Sequence, residues 1–225
     1  MKMNVKMLSL GLMVAMIVAT GIIAAQEITI NKLQVKYKYD YAAIEKYRIG
    51  MEAVINYVEE LGKDSSALIG YKDQFTALAE DLKAAADDND EASYNATIEE
   101  MKTIVTSFRE EGRNQVGNNT EEARARIEAA LEENEDYLYG LVTEARELHK
   151  ERNTQIFDYY DARAREVVDR LEAQGYNMSE AKAKLSEIEG KRESFIDAIT
   201  PLYRLAQING LANAGKLQKL KTTLN

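Results

Sequence analysis

Between Glu121 and Ala173 the chain runs 53 residues with no proline and one glycine, Gly140. The stretch is dense in Glu, Ala, Arg and Leu, the residues that lose least on entering a helix. A continuous helix of that length would reach roughly 80 Å. A compact sheet protein has no place for such an element. The expectation is therefore an all-α chain: an elongated helical bundle, or helical hairpins, built around one long central helix over 121–173.

Periodicity supplies the other elements. Leu33, Tyr37, Tyr41, Ile44, Tyr47, Met51, Val54 and Val58 form one helical stripe, although Leu33 to Tyr41 also alternates like a strand, so residues 27–39 stay open between helix and strand. Gly62 ends this helix and Asp64 caps the next, which carries Leu68, Phe75, Leu78 and Leu82. Asp87-Asp88-Asn89-Asp90 breaks the chain. Tyr94, Ile98, Met101, Val105 and Phe108 mark a third helix, and Gly112 to Asn119 reads as the clearest loop. Asn119 with Glu122 is a capping pair for the long helix. Within that helix Ile127, Leu131, Leu138, Leu141, Ala145 and Leu148 keep a near-heptad seam with Asn134 in it. The rhythm then changes to steps of four through Arg152, Ile156 and Tyr160 before recovering at Val167 and Leu171. Such a stutter unwinds a seam locally, so a bend is expected at Gly140 or at 149–153. Gly175 ends the helix, Asn177 caps the next, and Pro201 starts or kinks a last one.

Residues 47–66 echo residues 160–179: Tyr47, Val54, Glu59, Gly62 and Ser66 match Tyr160, Val167, Glu172, Gly175 and Ser179. The common pattern is helix, Gly-x-Asp/Asn-x-Ser turn, helix, and it leaves open an internal duplication. The expected division is 1–25 as a targeting segment, 26–119 as an N-terminal helical hairpin region, and 120–225 as the long helix with a C-terminal hairpin.

Lys2 and Lys6 precede an uncharged run from Met7 to Ala25. It reads as a cleaved signal peptide, with an uncleaved N-terminal anchor as the alternative. Either puts Gln26 onward outside the cytoplasm, secreted or at the cell surface. Membrane contact is then limited to residues 1–25 if they are retained. The whole chain carries −9, and both lysines of the leader are lost with it, so the remainder carries −11. That charge argues against binding nucleic acid. With no cysteine there is no disulfide framework, and stability must come from helix packing. Three sequons, at Asn95, Asn118 and Asn177, are acceptor sites for glycosylation of an exported chain.

The sequence carries no catalytic constellation. His149, the single histidine, reads as a solvated helix residue. One histidine without cysteine falls short of a di-iron bundle or an ordinary zinc site. Asp87, Asp88, Asp90 and Glu91 lack the glycine and terminal glutamate of a calcium loop. Neither a phosphate-binding glycine loop nor a nucleophile elbow is present. No cofactor is implied, and the chain is read as a non-enzyme. Thirteen tyrosines stand against four phenylalanines and no tryptophan. Tyr37, Tyr39 and Tyr41 gather at one end and Tyr159 and Tyr160 near the middle of the long helix; tyrosine packs its ring and keeps its hydroxyl wet, which suits first the core of a thin bundle and second a partner surface. From Ala198 onward the one-sided charge of Arg204, Lys216, Lys219 and Lys221 suits contact with the acidic body or a helix C-terminus.

Through Leu171–Phe195 (LEAQGYNMSEAKAKLSEIEGKRESF) and Thr97–Arg113 (TIEEMKTIVTSFREEGR) the chain resembles the exported, uncharacterised all-helical proteins of archaeal type. That resemblance implies helical hairpins and transfers no functional residue. Periplasmic helical chaperones of the Spy kind share the texture, but their Leu-Thr-x-x-Gln signature is absent here. The expected function is that of a non-catalytic extracytoplasmic helical protein acting through protein contacts, with a partner or itself, as surface component, scaffold or adaptor. The alternatives are a periplasmic-type chaperone or stress-sensing binder, and a ligand or metal carrier.

Overall fold

The computed structural model describes residues 28–200; the targeting segment, Pro201 and nearly all of the basic C-terminal stretch lie outside them. The described residues form seven α-helices and one 3₁₀ turn, with no strand. The helices are α1 (Lys32–Glu60), α2 (Ser66–Asp87), α3 (Glu91–Val116), α4 (Thr120–Glu133), α5 (Glu135–Ala173), α6 (Ser179–Gly190) and α7 (Arg192–Ile199). The open stretch 27–39 is helical from Lys32 onward. Asn31 caps it reciprocally, accepting from the Gln34 backbone while the Gln34 side chain accepts from the Asn31 backbone.

Two compact units divide inside α5, between Leu148 and His149. The first, Ile30–Leu148, is an up-down-up-down bundle in which α1, α2, α3 and the α4–α5 run succeed one another. Its core joins Leu33, Ile44, Met51 and Val58 of α1 to Leu68, Phe75 and Leu82 of α2 and Tyr94, Met101 and Phe108 of α3. A smaller cluster places Tyr57 of α1 against Val116 and Ala123. Ten of the 29 residues of α1 are buried, on more than one face. Leu33, Ile44, Met51 and Val58 keep one stripe, while Val35, Ala42 and Tyr57 fall on the opposite side of the helix wheel.

The continuous helix expected over 121–173 is interrupted at Asn134, where α4 ends and α5 begins. The Asn134 side-chain amide donates to the carbonyl of Ala130 at 2.8 Å. Asparagine competes in this way for backbone partners and disfavours helix continuation. Neither Gly140 nor 149–153 breaks the backbone, and α5 runs through both. In the first unit the helix with helical neighbours on several sides is α1. The loop expected over Gly112–Asn119 is also corrected. α3 continues to Val116, Gly112 is buried within it, and the turn is Gly117–Asn119 with Gly117 at φ +60°. Asn119 makes no capping bond.

The glycine turns fold as their spacing implies. The Gly62 N–H donates to Glu59 O and Lys63 N–H to Val58 O; Gly175 and Tyr176 repeat this with Glu172 and Leu171. Both are Schellman ends with a left-handed glycine, at φ +69° and +89°. Asp64 Oδ1 then accepts from Ser66 N–H at 2.9 Å, and Asn177 Oδ1 from Ser179 N–H at 3.1 Å. The sequence echo therefore corresponds to one turn geometry used twice. Asn89, at φ +55°, closes α2 in the same way, with Asp90 capping α3.

The second unit, residues 149–200 with Ile28 and Thr29, is a helical hairpin in which α6 and α7 return along α5. Lys182 pairs with Glu172, Arg165 with Glu189, Arg192 with Asp158 and Lys150 with Asp197. Those pairs set an antiparallel register. Val168, Leu185 and Ile196 are its buried apolar residues, joined by a buried Asn153–Thr200 hydrogen bond at 3.0 Å. Tyr160, expected on the seam, is 53 % exposed, and Val168 rather than Val167 is buried.

Two substitutions test this packing by urea unfolding. Leu82→Ala removes a fully buried side chain and costs about 2–5 kcal/mol. Gly50→Ala adds a methyl 3.6 Å from Ile127 in a helix interior and stabilises by about 0.5–1 kcal/mol.

Candidate functional site

Polar groups concentrate on α1, where the helix meets several neighbours. Glu45 is 5 % exposed, although it is a carboxylate in a helix. Arg48, one turn on, holds it with Nε at 3.1 Å from both oxygens and Nη2 at 2.8 Å from Oε2. The Tyr137 hydroxyl, from the start of α5, donates to Oε2 at 3.1 Å. The Tyr41 phenol lies beside the same carboxylate, and burial followed by that charge raises its pKa. A buried carboxylate needs such partners, because desolvation without them is costly. Burial, then the Glu45 charge, pushes Tyr137 up to about 12. Burial and the neighbouring Tyr41 take Tyr37 to about 12 as well.

A second polar knot lies one turn earlier. Asp40 accepts from the Tyr94 hydroxyl at 2.7 Å and from Lys36 Nζ at 3.0 Å. The Lys36 ammonium sits 4.0 Å from the Tyr94 ring centroid. Tyr94 is fully buried, and burial followed by the Asp40 charge raises its pKa. Near the two ends of α1, the Asn31 side chain donates to Ala86 O, while Glu60 pairs with Arg126 of α4. Lys38 reaches Glu144 of α5, and Lys72 of α2 reaches Glu52. The arrangement fastens α1 to α2, α3, α4 and α5.

The residues singled out from sequence fall in different settings. Tyr37 and Tyr41 are half-buried on α1, with ring centroids 5.7 Å apart, and Tyr39 is half-buried beside them. Tyr159 and Tyr160 stack edge to face on α5 at 5.3 Å, with Tyr160 the more exposed. Asn95, Asn118 and Asn177 are all exposed. His149 is half-buried rather than solvated, and burial, then Arg152, lowers its pKa. In the acidic turn Asp87 is engaged by Lys83 and Gln34, and Asp90 caps α3. Among the described residues no group of three or more acids and histidines is placed to hold a metal ion. No helix among them is long and apolar enough to cross a membrane.

What sequence patterning missed is the edge of the second unit. Ile188, Phe195 and Ile199 expose 49, 49 and 41 % of their surface. They follow one another at spacings of seven and four along α6 and α7, the two helices of the returning arm. Phe195 has an intramolecular ring partner in Phe157, at 6.0 Å. The signal was present in the spacing, but patterning does not separate apolar residues that are covered from those that stay open. No family model, curated protein or solved structure matches the chain.

Alkaline difference absorbance checks the Glu45 cluster. Phenols raised in the folded state hold their protons where the unfolded chain releases them, so this contribution to stability is intact below pH 10 and is lost as pH rises toward 12. Tyr137→Phe removes one of the late-titrating phenols, leaves that of Tyr37, and costs about 0.5–1.5 kcal/mol for the lost hydrogen bond.

Proposed function

We propose that this chain is a non-catalytic extracytoplasmic helical protein that acts through protein contacts, as a surface component, scaffold or adaptor. The observation that carries the reading is the open apolar edge of the second unit. A hairpin buries the facing sides of its two arms and leaves their flanks to whatever docks beside them. Here the flank holds Ile188, Phe195 and Ile199. An exposed run of large apolar side chains bordered by charge marks a contact surface. Lys184, Glu187 and Lys191 supply that charge: the two lysines flank the glutamate and hold its carboxyl at about 2.

The extracytoplasmic part rests on the basic start and uncharged run of residues 1–25, and on the likeness to exported helical proteins. The non-catalytic part rests on the chemistry of the polar groups, which on α1 serve helix attachment. Contact through a hairpin flank is the helix-in-groove type of recognition, read through side chains spaced by three, four and seven.

Site-specific photo-crosslinking in the source cells tests this. A photoreactive phenylalanine analogue at Phe195 is expected to give one discrete protein adduct, while the same probe at exposed Glu100 of α3 gives none. Equal labelling at both positions would overturn the assignment of the contact face. With the probe kept at Phe195, Ile188→Ser with Ile199→Ser should weaken the adduct while the melting of the first unit is unchanged.

A further inference from the structure

The three sequons sit in three different backbone settings, and only one suits modification of the folded chain. Asn95 lies within α3, and the hydroxyl of its partner Thr97 donates to Ser93 O at 2.9 Å. Asn118 lies in the 3₁₀ turn Gly117–Asn119, which runs without a gap into α4, Thr120 being its first residue. Asn177 is in the non-helical link between α5 and α6. The Schellman end at Gly175 holds the chain before it, and α6 begins at Ser179. Its Oδ1 takes the Ser179 N–H. That bond uses the amide oxygen alone, so the Nδ2 hydrogens and the Ser179 hydroxyl carry no bond among the described residues. The preceding residue, Tyr176, is 62 % exposed, an aromatic face on which the apolar face of a sugar ring can lie.

We infer that Asn177 is the N-glycosylation acceptor of the folded protein, and that Asn95 and Asn118 are not used. The inference rests on the extracytoplasmic reading above, since glycan transfer to a sequon belongs to exported chains. The donor class is an oligosaccharide carried on a polyprenyl phosphate or pyrophosphate in the membrane. Asn177 Nδ2 forms a bond to the anomeric carbon of the first sugar, and the bond from that carbon to the carrier phosphate oxygen breaks. The electron pair leaves with the phosphate, and Nδ2 gives up one proton to the transferase. Nothing is oxidised or reduced. A transferase must grip both the amide and the hydroxyl two residues on. At Asn177 the amide stands in the link before α6, and the Ser179 hydroxyl, on the first residue of that helix, is unbonded among the described residues. At Asn95 the hydroxyl is already bonded to the helix backbone, and presenting it requires unwinding a turn of α3.

Intact mass and peptide mapping of the native protein from its source cells test the inference. The expected result is a chain beginning near Gln26 with one glycan, on the peptide that contains Asn177. Ser179→Ala, which keeps the Asn177 turn, should lose the whole glycan mass without shifting the melting midpoint. Asn95→Gln and Asn118→Gln should retain it. An exported chain with bare Asn177, or with comparable occupancy at all three sequons, would overturn the inference while the extracytoplasmic reading stands. A full-length, unprocessed chain without sugar in the cytoplasm would overturn both.

Discussion

The first unit depends on α1 being buried from more than one side. A surface helix shows one apolar stripe, and its other faces are free to be polar. α1 instead packs Leu33, Ile44, Met51 and Val58 against α2 and α3, and turns Tyr57 toward Val116 and Ala123. The polar residues between these faces then have little access to water and must find partners inside the protein. Glu45 meets that requirement with Arg48 and Tyr137, while Asp40, a third exposed, keeps water and also binds Tyr94 and Lys36. The Glu45 attachment also selects a register, because a shift of one residue would strand a buried carboxylate. The polar contacts and the apolar packing therefore specify the same neighbours.

Helix ends are built on the same economy of local partners. Three helices end in the paired Schellman bonds, at Gly62, Asn89 and Gly175. Such ends let a chain without disulfides reverse direction in a few residues. The break at Asn134 belongs with them. It separates α4, which meets the C-terminal half of α1, from the start of α5, which meets the N-terminal half through Tyr137 and Glu144.

Turn chemistry was legible in the residues. Gly62, Asp64, Gly175 and Asn177 stand where their side chains and backbone freedom require, and the long stripe of α1 is buried as its spacing implies. Two-sided burial was not legible, since Val35, Ala42 and Tyr57 blur the period that marks a single face. Nothing local marks Glu45 as buried: Arg48 stands one turn on, but Tyr137, its partner from α5, lies 92 residues away. Gly140 drew attention as a breaker, whereas Asn134 carried the break through a side-chain bond to Ala130. Of the surfaces, Tyr160 was named and is exposed, while Ile188, Phe195 and Ile199 were not. Whether an apolar side chain is covered depends on what packs beside it, and that information is not local.

The thin interior of the second unit has a consequence for how the chain breathes. Its buried apolar content is Val168, Leu185 and Ile196, and its register is set mainly by ion pairs at the surface. Solvent-exposed pairs contribute little and are weakened by salt. Cooperative opening requires fewer buried contacts to be broken here than in the first unit. Amide protons along α6 and α7 should therefore exchange through openings smaller than global unfolding, and faster as ionic strength rises, while those at the centre of α1 wait for the whole bundle to come apart.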